Sequence, residues 1–344
     1  GDSPATNQVK KFSEELANRG YEVIRIVDGQ RNDLKNNISN PQVVTWPSKR
    51  PIYISDGLFL LKLINKYHPL CLIAHFGSVN MMTFIGWILK IPLRIVWYHT
   101  LTTQIRIDQP NWQLQFKNNF LKYRKKCVYR LSSYIVSVSH AAKNESQIVY
   151  KYPSSKGIIF YNALQDPFLN KSKYLNPSDT NLLVCPGRLY KSKGQDILIR
   201  ALPLLLARFP NLKVLFLGEG PKREELIHLA QQKGVINNCR FPGHYPHEKL
   251  LQIMSEAYLS IIPSRDEAFG LTNIESLSVG TPVIASNVGG IPEIIRDGID
   301  GYLIPPDDHV SLAEKISTLL LHPEIRSFMS ENARIRFLDM FELT

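Results

Sequence analysis

Cysteine is scarce in this sequence and never clustered. Four occur in 344 residues, at Cys71, Cys127, Cys185 and Cys239. With no C-x-x-C pair, neither a zinc site nor a disulfide framework is indicated, and reduced, buried thiols are expected. Long apolar runs are missing as well. The longest, Met81–Leu101, is interrupted by Lys90, Pro92, Arg94 and His99. It is too broken for a spanning helix and reads as a helix, an Ile-Pro step and a buried strand. No secretory leader pattern stands at the start. These absences lead us to expect a soluble or peripheral protein, cytoplasmic or seated on the inner face of a membrane. The G-x-G-x-x-G fingerprint is absent, which speaks against a dinucleotide oxidoreductase. No paired aspartate motif calls for a metal. No recognition-helix or ribonucleoprotein motif supports nucleic-acid binding, and low-complexity segments and tandem repeats are absent.

What is present points to two domains, since a chain of this length exceeds the usual scale of about 100–200 residues for one. Charge divides unevenly between the halves. Residues 1–165 hold 22 Lys+Arg against 9 Asp+Glu, and residues 166–344 hold 19 against 21, so the net +11 resides in the first half. Such a half attracts phosphates or anionic lipid. Its densest cluster is Lys117, Lys122, Arg124, Lys125, Lys126 and Arg130, interleaved with Phe116, Phe120 and Tyr123. The stretch Phe116–Arg130 has the spacing of a helix lying on an anionic membrane surface, or of a solvated helix whose aromatics pack inward.

Strand-like apolar runs alternate with helical stretches throughout. In the first half they are Tyr21–Val27, Leu70–Ala74, Leu93–Trp97, Tyr134–Val138 and Gly157–Tyr161. In the second they are Leu182–Cys185, Val214–Leu217, Cys239–Phe241, Leu259–Ile262, Pro282–Ala285 and Gly301–Ile304. Runs that are continuously apolar, rather than alternating, belong to strands covered on both faces. Strand–helix alternation implies parallel, doubly wound sheets. The expected domains are 1–165 and 166–344, divided in the polar, proline-containing stretch Asp166–Asn181. The chain opens on a helix-like segment, Asn7–Arg19, with no strand before it. A first strand is therefore expected to be missing, and the last helix likewise reads as cut.

Three loops carry chemistry. The segment from Pro263 to Glu275 leaves an apolar strand and enters a helix, the geometry that places ligands at the carboxyl edge of an α/β sheet. Amides of Phe269, Gly270 and Leu271 at that helix start suit a phosphate or sugar oxygens. Glu267 and Glu275 are acceptors for hydroxyls, or simply favour the helix dipole. Gly187-Arg188-Leu189, with Lys193 and Gly194, follows another strand, and its two cations suit a diphosphate. Gly218-Glu219-Gly220 follows a third and leaves room for a ligand near the backbone. His75 and His99 each end a strand of the first half.

These residues together resemble the family 4 retaining glycosyltransferases. The run Ile262–Glu293 is similar to that family's signature, with Glu267 and Glu275 in its E-x7-E pattern. "GRLYKSKGQD", "FLGEGP", "FPGHYPHEKL", "SVSHAAKNE", "IIFYNALQDPF" and "IPLRIVWYHT" follow in the family's order over about 90% of the chain. The resemblance implies a GT-B fold: two doubly wound, Rossmann-like domains facing a central cleft. The first would bind the acceptor and the second the donor, and the final helix would pack back toward the first. It also implies transfer of a sugar, with retention, from a nucleoside diphosphate sugar to a hydroxyl of a saccharide or lipid-linked acceptor. UDP-sugar is favoured and GDP-sugar is the alternative, with no cofactor and no metal. Arg188 and Lys193 would hold the diphosphate, Glu275 the ribose, and Glu267 with Ala268, Phe269, Gly270 and Leu271 the sugar. Gly218 and Gly220 would approach the donor, Gly243 would lie near the base, and His99 beside the reacting sugar. Catalysis would fall to Glu267, His99, Arg188 and Lys193.

The expected setting is polysaccharide or glycolipid synthesis. The family's glycine-rich first loop is not recognisable in "GDSPATNQ". The competing readings are a related enzyme, such as a nucleotide-sugar epimerase or a phosphorylase, and an inactive nucleotide-sugar-binding protein. Release of nucleoside diphosphate on adding donor separates the last from the others.

Overall fold

The computed structural model describes residues 4–27, 40–49, 51–108, 123–168 and 181–343. The expected boundary stretch lies largely outside them, as does 116–122 of the basic segment. Two compact units are formed. The first comprises Gly1, Ala5–His99 and Asn111–Phe160; the second comprises Asp2–Pro4, Thr100–Pro110 and Tyr161–Thr344.

In the first unit, helix α1 (Pro4–Asn18) precedes a parallel pair, β1 (Ile24–Val27) and β2 (Gln42–Thr45). Then follow α2 (Ile54–Tyr67), β3 (Cys71–Ala74), α3 (Val79–Ile88) and β4 (Leu93–Tyr98). The Met81–Leu101 run thus divides into helix and strand as its Ile-Pro step suggests. The short α4 (Thr102–Asp108) comes next, then a helix α5 over 123–131. Strand β5 (Tyr134–Ser137), helix α6 (His140–Tyr150) and strand β6 (Gly157–Ile159) complete a parallel sheet of order β3-β4-β5-β6. Strand β2 has no counterpart in the sequence reading: four residues without a long apolar run carry too weak a pattern.

Helix α5 buries Val128 and Tyr129 and leaves Tyr123, Arg124 and Arg130 exposed. Its Lys125 amine stands 6.0 Å from the Tyr150 ring centre, and burial lowers that ammonium's pKa. The cysteines depart in part from expectation. Cys185 and Cys239 are buried, Cys71 is half-buried, and Cys127 is exposed on α5, because it lies across the helix from the buried Tyr129.

The second unit is one six-stranded parallel sheet of order β12-β11-β10-β7-β8-β9. Its strands are β7 (Leu182–Pro186), β8 (Lys213–Leu217), β9 (Cys239–Gly243), β10 (Leu259–Ile262), β11 (Val283–Ser286) and β12 (Gly301–Ile304). Strands β10 and β11 are buried at every residue, as their uninterrupted apolar sequence requires. Helices α7 (Gln195–Leu206), α8 (Arg223–Gln232), α9 (His247–Glu256), α10 (Leu271–Ser278), α11 (Ile291–Ile294), α12 (His309–Leu321) and α13 (Pro323–Met340) link and cover the strands. Leu198, Leu202, Phe216, Ile261 and Ile316 share one core. Each such side chain contributes about 1.5–3 kcal/mol by leaving water. Within this unit α13 packs on α10, with the Arg334 guanidinium donating to Ser278 O at 2.8 Å.

Candidate active site

Strand order reverses between β7 and β10, which pair directly. From β7 the chain runs outward to β8 and β9; from β10 it runs the other way. The loops leaving β7 and β10 therefore diverge at their carboxyl ends and leave a crevice, where open α/β sheets bind ligands.

The β7 loop holds Gly187, Arg188, Leu189 and the tight turn Lys191–Lys193. Arg188 is exposed, and its guanidinium carbon lies 5.1 Å from the Tyr190 ring centre. Gln195 Nε2 donates to Arg188 O at 3.1 Å. Gly194 starts α7 at φ +66°, and a Cβ there would stand 2.0 Å from Pro263 O. Only glycine lets this loop press so closely on the end of β10.

Across the crevice, Lys193 Nζ donates to Glu267 Oε2, and both side chains are largely buried. Glu267 itself is clamped by its backbone. Gly290 N–H donates to Glu267 O at 2.9 Å, and a Cβ on Gly289 would stand 1.9 Å from that oxygen. Arg265 joins the two loops. Its guanidinium donates to both Asp196 oxygens at 2.8 Å, to Lys191 O at 2.8 Å and to Asp307 at 2.7 Å. Burial works against the Asp196 carboxylate, but the Arg265 fork outweighs it and holds the carboxyl below its ordinary range. Asp108, on α4, accepts from Ser192 N at 2.8 Å and Ser192 Oγ at 2.9 Å.

Helix α10 begins after Gly270, at φ +102°. Leu271 and Thr272 in its first turn have no intrahelical acceptor for their N–H groups. Phe269 is a core residue, its ring stacked on Tyr161 with centres 5.6 Å apart. Only the Phe269 backbone remains for a ligand. Ala268 is buried beside it. Glu275, one turn into the helix, is buried and accepts from His247 Nε2 at 3.0 Å. That hydrogen bond outweighs burial and raises the His247 pKa.

Gly218, Gly220 and Gly243 are required by the protein itself. A Cβ on Gly218 would stand 2.1 Å from Gly187 O, on Gly220 2.3 Å from Leu189 O, and on Gly243 2.5 Å from Glu219 Oε1. Loop-on-loop packing thus explains Gly218 and Gly220 without a ligand; at Gly243 the Glu219 side chain can move aside, and the φ of +90° is what favours glycine. Sequence reasoning did not single out His247, Arg265 or Asp108. Pro246 before α9 and the strand-end position of Arg265 were the available signals, but their partners are distant in sequence.

In the first unit, His75 Nδ1 and His99 Nε2 are hydrogen-bonded at 3.1 Å. His75 stacks on Trp97 with centres 4.8 Å apart, and His99 on Phe76 at 4.3 Å. Burial lowers the His75 pKa to about 4. Burial, with the neighbouring His75, lowers that of His99 to about 3. Both rings are neutral at neutral pH.

Two tandem parallel α/β units with ligand loops at a switch point define the GT-B class. The family model for Glycosyltransferase Family 4 matches residues 5–165, and that for Glycosyl transferases group 1 matches 168–336. The chain belongs to the GT-B glycosyltransferases of the family 4 type. It is 26% identical to an uncharacterized glycosyltransferase of Methanocaldococcus jannaschii, over 94% of this chain and 87% of that protein. Sucrose-phosphate synthase from Thermosynechococcus elongatus shares the fold, with a TM-score of 0.78 at 22% identity over 97% of this chain and 88% of that one. HepE of Anabaena, solved with UDP, gives 0.70 at 19% identity over 88% and 82%.

Proposed function

We propose that the protein is a retaining glycosyltransferase that moves a sugar from a nucleoside diphosphate sugar to a hydroxyl of a saccharide or lipid-linked acceptor. The observation that carries this reading is the Lys193–Glu267 pair at the β7/β10 crevice, on the loop that also bears Arg188. Breaking the glycosyl–phosphate bond puts negative charge on the departing diphosphate. Arg188, Lys193 and the first amides of α10 lower the barrier by holding that charge more strongly in the transition state than before it. Glu267 grips sugar hydroxyls and Glu275 the ribose. His99, as a neutral imidazole, hydrogen-bonds the reacting sugar. The departing phosphate takes the acceptor's proton on the face it leaves, which preserves the anomeric configuration. A UDP-sugar is the favoured donor, in keeping with the UDP in the complex of the similar-fold HepE. Acceptor synthesis at an anionic membrane would bring in the basic stretch 116–130.

Arg188→Ala and Lys193→Ala are expected to lower kcat/KM by a factor of about 100 or more, as loss of a preorganised charge-stabilising group does. Near-normal transfer by both variants would remove the assigned role. A thermal-shift series with UDP, GDP and ADP tests the base, since a bound nucleotide stabilises the fold according to its excess over Kd.

A further inference from the structure

Among the described residues, the first unit carries an exposed apolar surface on two helices. Helices α2 and α3 meet at a seam where a Cβ on Gly57 would stand 3.8 Å from Ile85 Cδ1. On the α2 side, Ile54 is 85% exposed and Leu58 56%. On the α3 side, Phe84 is 50% exposed, Trp87 48% and Ile88 53%. Spacings of three and four residues place each set on one helix face; on α3 that face runs from Ile88, nearest the seam, through Phe84 to Trp87, farthest from it. The Phe84 and Trp87 ring centres are 6.4 Å apart. Ordinary soluble surfaces scatter such residues singly, whereas a contiguous patch marks a docking site.

The segment that carries this patch bears exposed charge of one sign. Lys62, Lys66 and Lys90 are exposed on α2 and just beyond α3. From Gly57 to Ile107 the sequence contains no aspartate or glutamate. The one acid of α2, Asp56, is fully buried. Its carboxylate accepts from Ser48 N, Ile52 N and Tyr53 N at 3.0–3.1 Å and from Ser48 Oγ at 2.8 Å. It therefore serves the fold and offers the surface no negative charge.

We infer that the α2–α3 face docks on an anionic lipid bilayer, with Phe84, Trp87 and Ile88 entering the headgroup boundary and Lys62, Lys66 and Lys90 pairing with lipid phosphates. Apolar anchors ringed by lysines, with a tryptophan at the margin, are how interfacial helices hold anionic membranes. A second copy of the chain fits poorly, because pairing two such faces opposes lysine to lysine with no acid to compensate. The surface is separate from the basic stretch 116–130, and the inference stands without the donor-site reading.

The test is flotation of the intact chain with phosphatidylcholine vesicles, with and without phosphatidylglycerol, at low and high salt. The protein is expected to float with anionic vesicles at low salt, and far less with neutral ones. Phe84→Ser/Trp87→Ser/Ile88→Ser should lower the partition coefficient by roughly tenfold or more. Lys62→Glu/Lys66→Glu, at sites too exposed to disturb folding, should do the same on anionic vesicles only. UDP thermal shifts should be unchanged in both, which separates failure of this inference from failure of the donor site. If the wild type stays with neither vesicle, or if the lysine variant floats as the wild type does, the inference is overturned. It is equally overturned if only Arg124→Glu/Lys126→Glu abolishes flotation, or if sedimentation shows a dimer that the serine variant dissolves.

Discussion

The two histidines of the first unit show how environment, rather than residue type, sets protonation. Each has lost most of its water and gained only another imidazole and aromatic faces, so the charged form is disfavoured. With folded pKa values of about 4 for His75 and about 3 for His99, against roughly 6.5 when unfolded, the unfolded chain binds more protons between those limits. Stability is therefore whole above about pH 6.5 and is lost as pH falls from there toward 4 and below. Urea midpoints measured at successive pH values should decline over that window. The decline should be shallower in His75→Asn/His99→Asn. A flat profile in the wild type would mean that the rings are solvated. The Lys193–Glu267 pair belongs to the same scale. Removing one partner strands a buried charge, and Lys193→Ala should cost on the order of 3 kcal/mol, with Glu267→Gln/Lys193→Ala recovering part of it. A double-mutant cycle by chemical denaturation measures the coupling.

At the scale of elements, glycines separate contact from conformation. Gly289 has φ +52° and backbone 1.9 Å from where its Cβ would be, whereas Gly234 has φ +71° and open space. Gly234→Ala should cost only the left-handed strain, about 1–2 kcal/mol. Gly289→Ala must also displace Glu267, so it should lose more stability and most transferase activity together. Equal melting temperatures for the two variants would contradict the packing argument. Elements also mark the limits of sequence reading. Strands β7, β10 and β11 of the second unit were legible because burial on both faces demands uninterrupted apolar runs. Strand β2 and the short turn Lys191–Lys193 were not, because a few half-buried residues carry no period. Of the candidate site, Arg188, Lys193 and Glu267 were legible as polar residues on loops that leave strands, and Glu275 as an acid on the helix that follows one. His247 and Arg265 were not, because their roles consist of partners 28 and 69 residues away.

At the scale of the molecule, the chain does not divide at one point. Thr100–Pro110 follows a strand of the first unit yet belongs to the second, where Asp108 holds the Ser192 amide and hydroxyl. Asp108→Ala should free the Lys191–Lys193 turn and weaken UDP binding several-fold, by about 1 kcal/mol for the lost hydrogen bonds. Titration calorimetry measures it, and unchanged affinity would show that the turn is held without α4. By itself the sequence determined the strand–helix alternation, the parallel pairing of the strands and the family, since these depend on local periodicity and on short motifs whose chemistry is carried along the chain; that β1 and β2 pair apart from β3–β6 it did not show. The tertiary structure alone decided that Lys193 meets Glu267, that Arg265 ties their loops together, that Gly218 and Gly220 answer to neighbouring loops, and that α2 and α3 meet at Gly57 and Ile85. Each of these is a distance between residues far apart in sequence, and such distances exist only once the hydrophobic core has brought the strands into register.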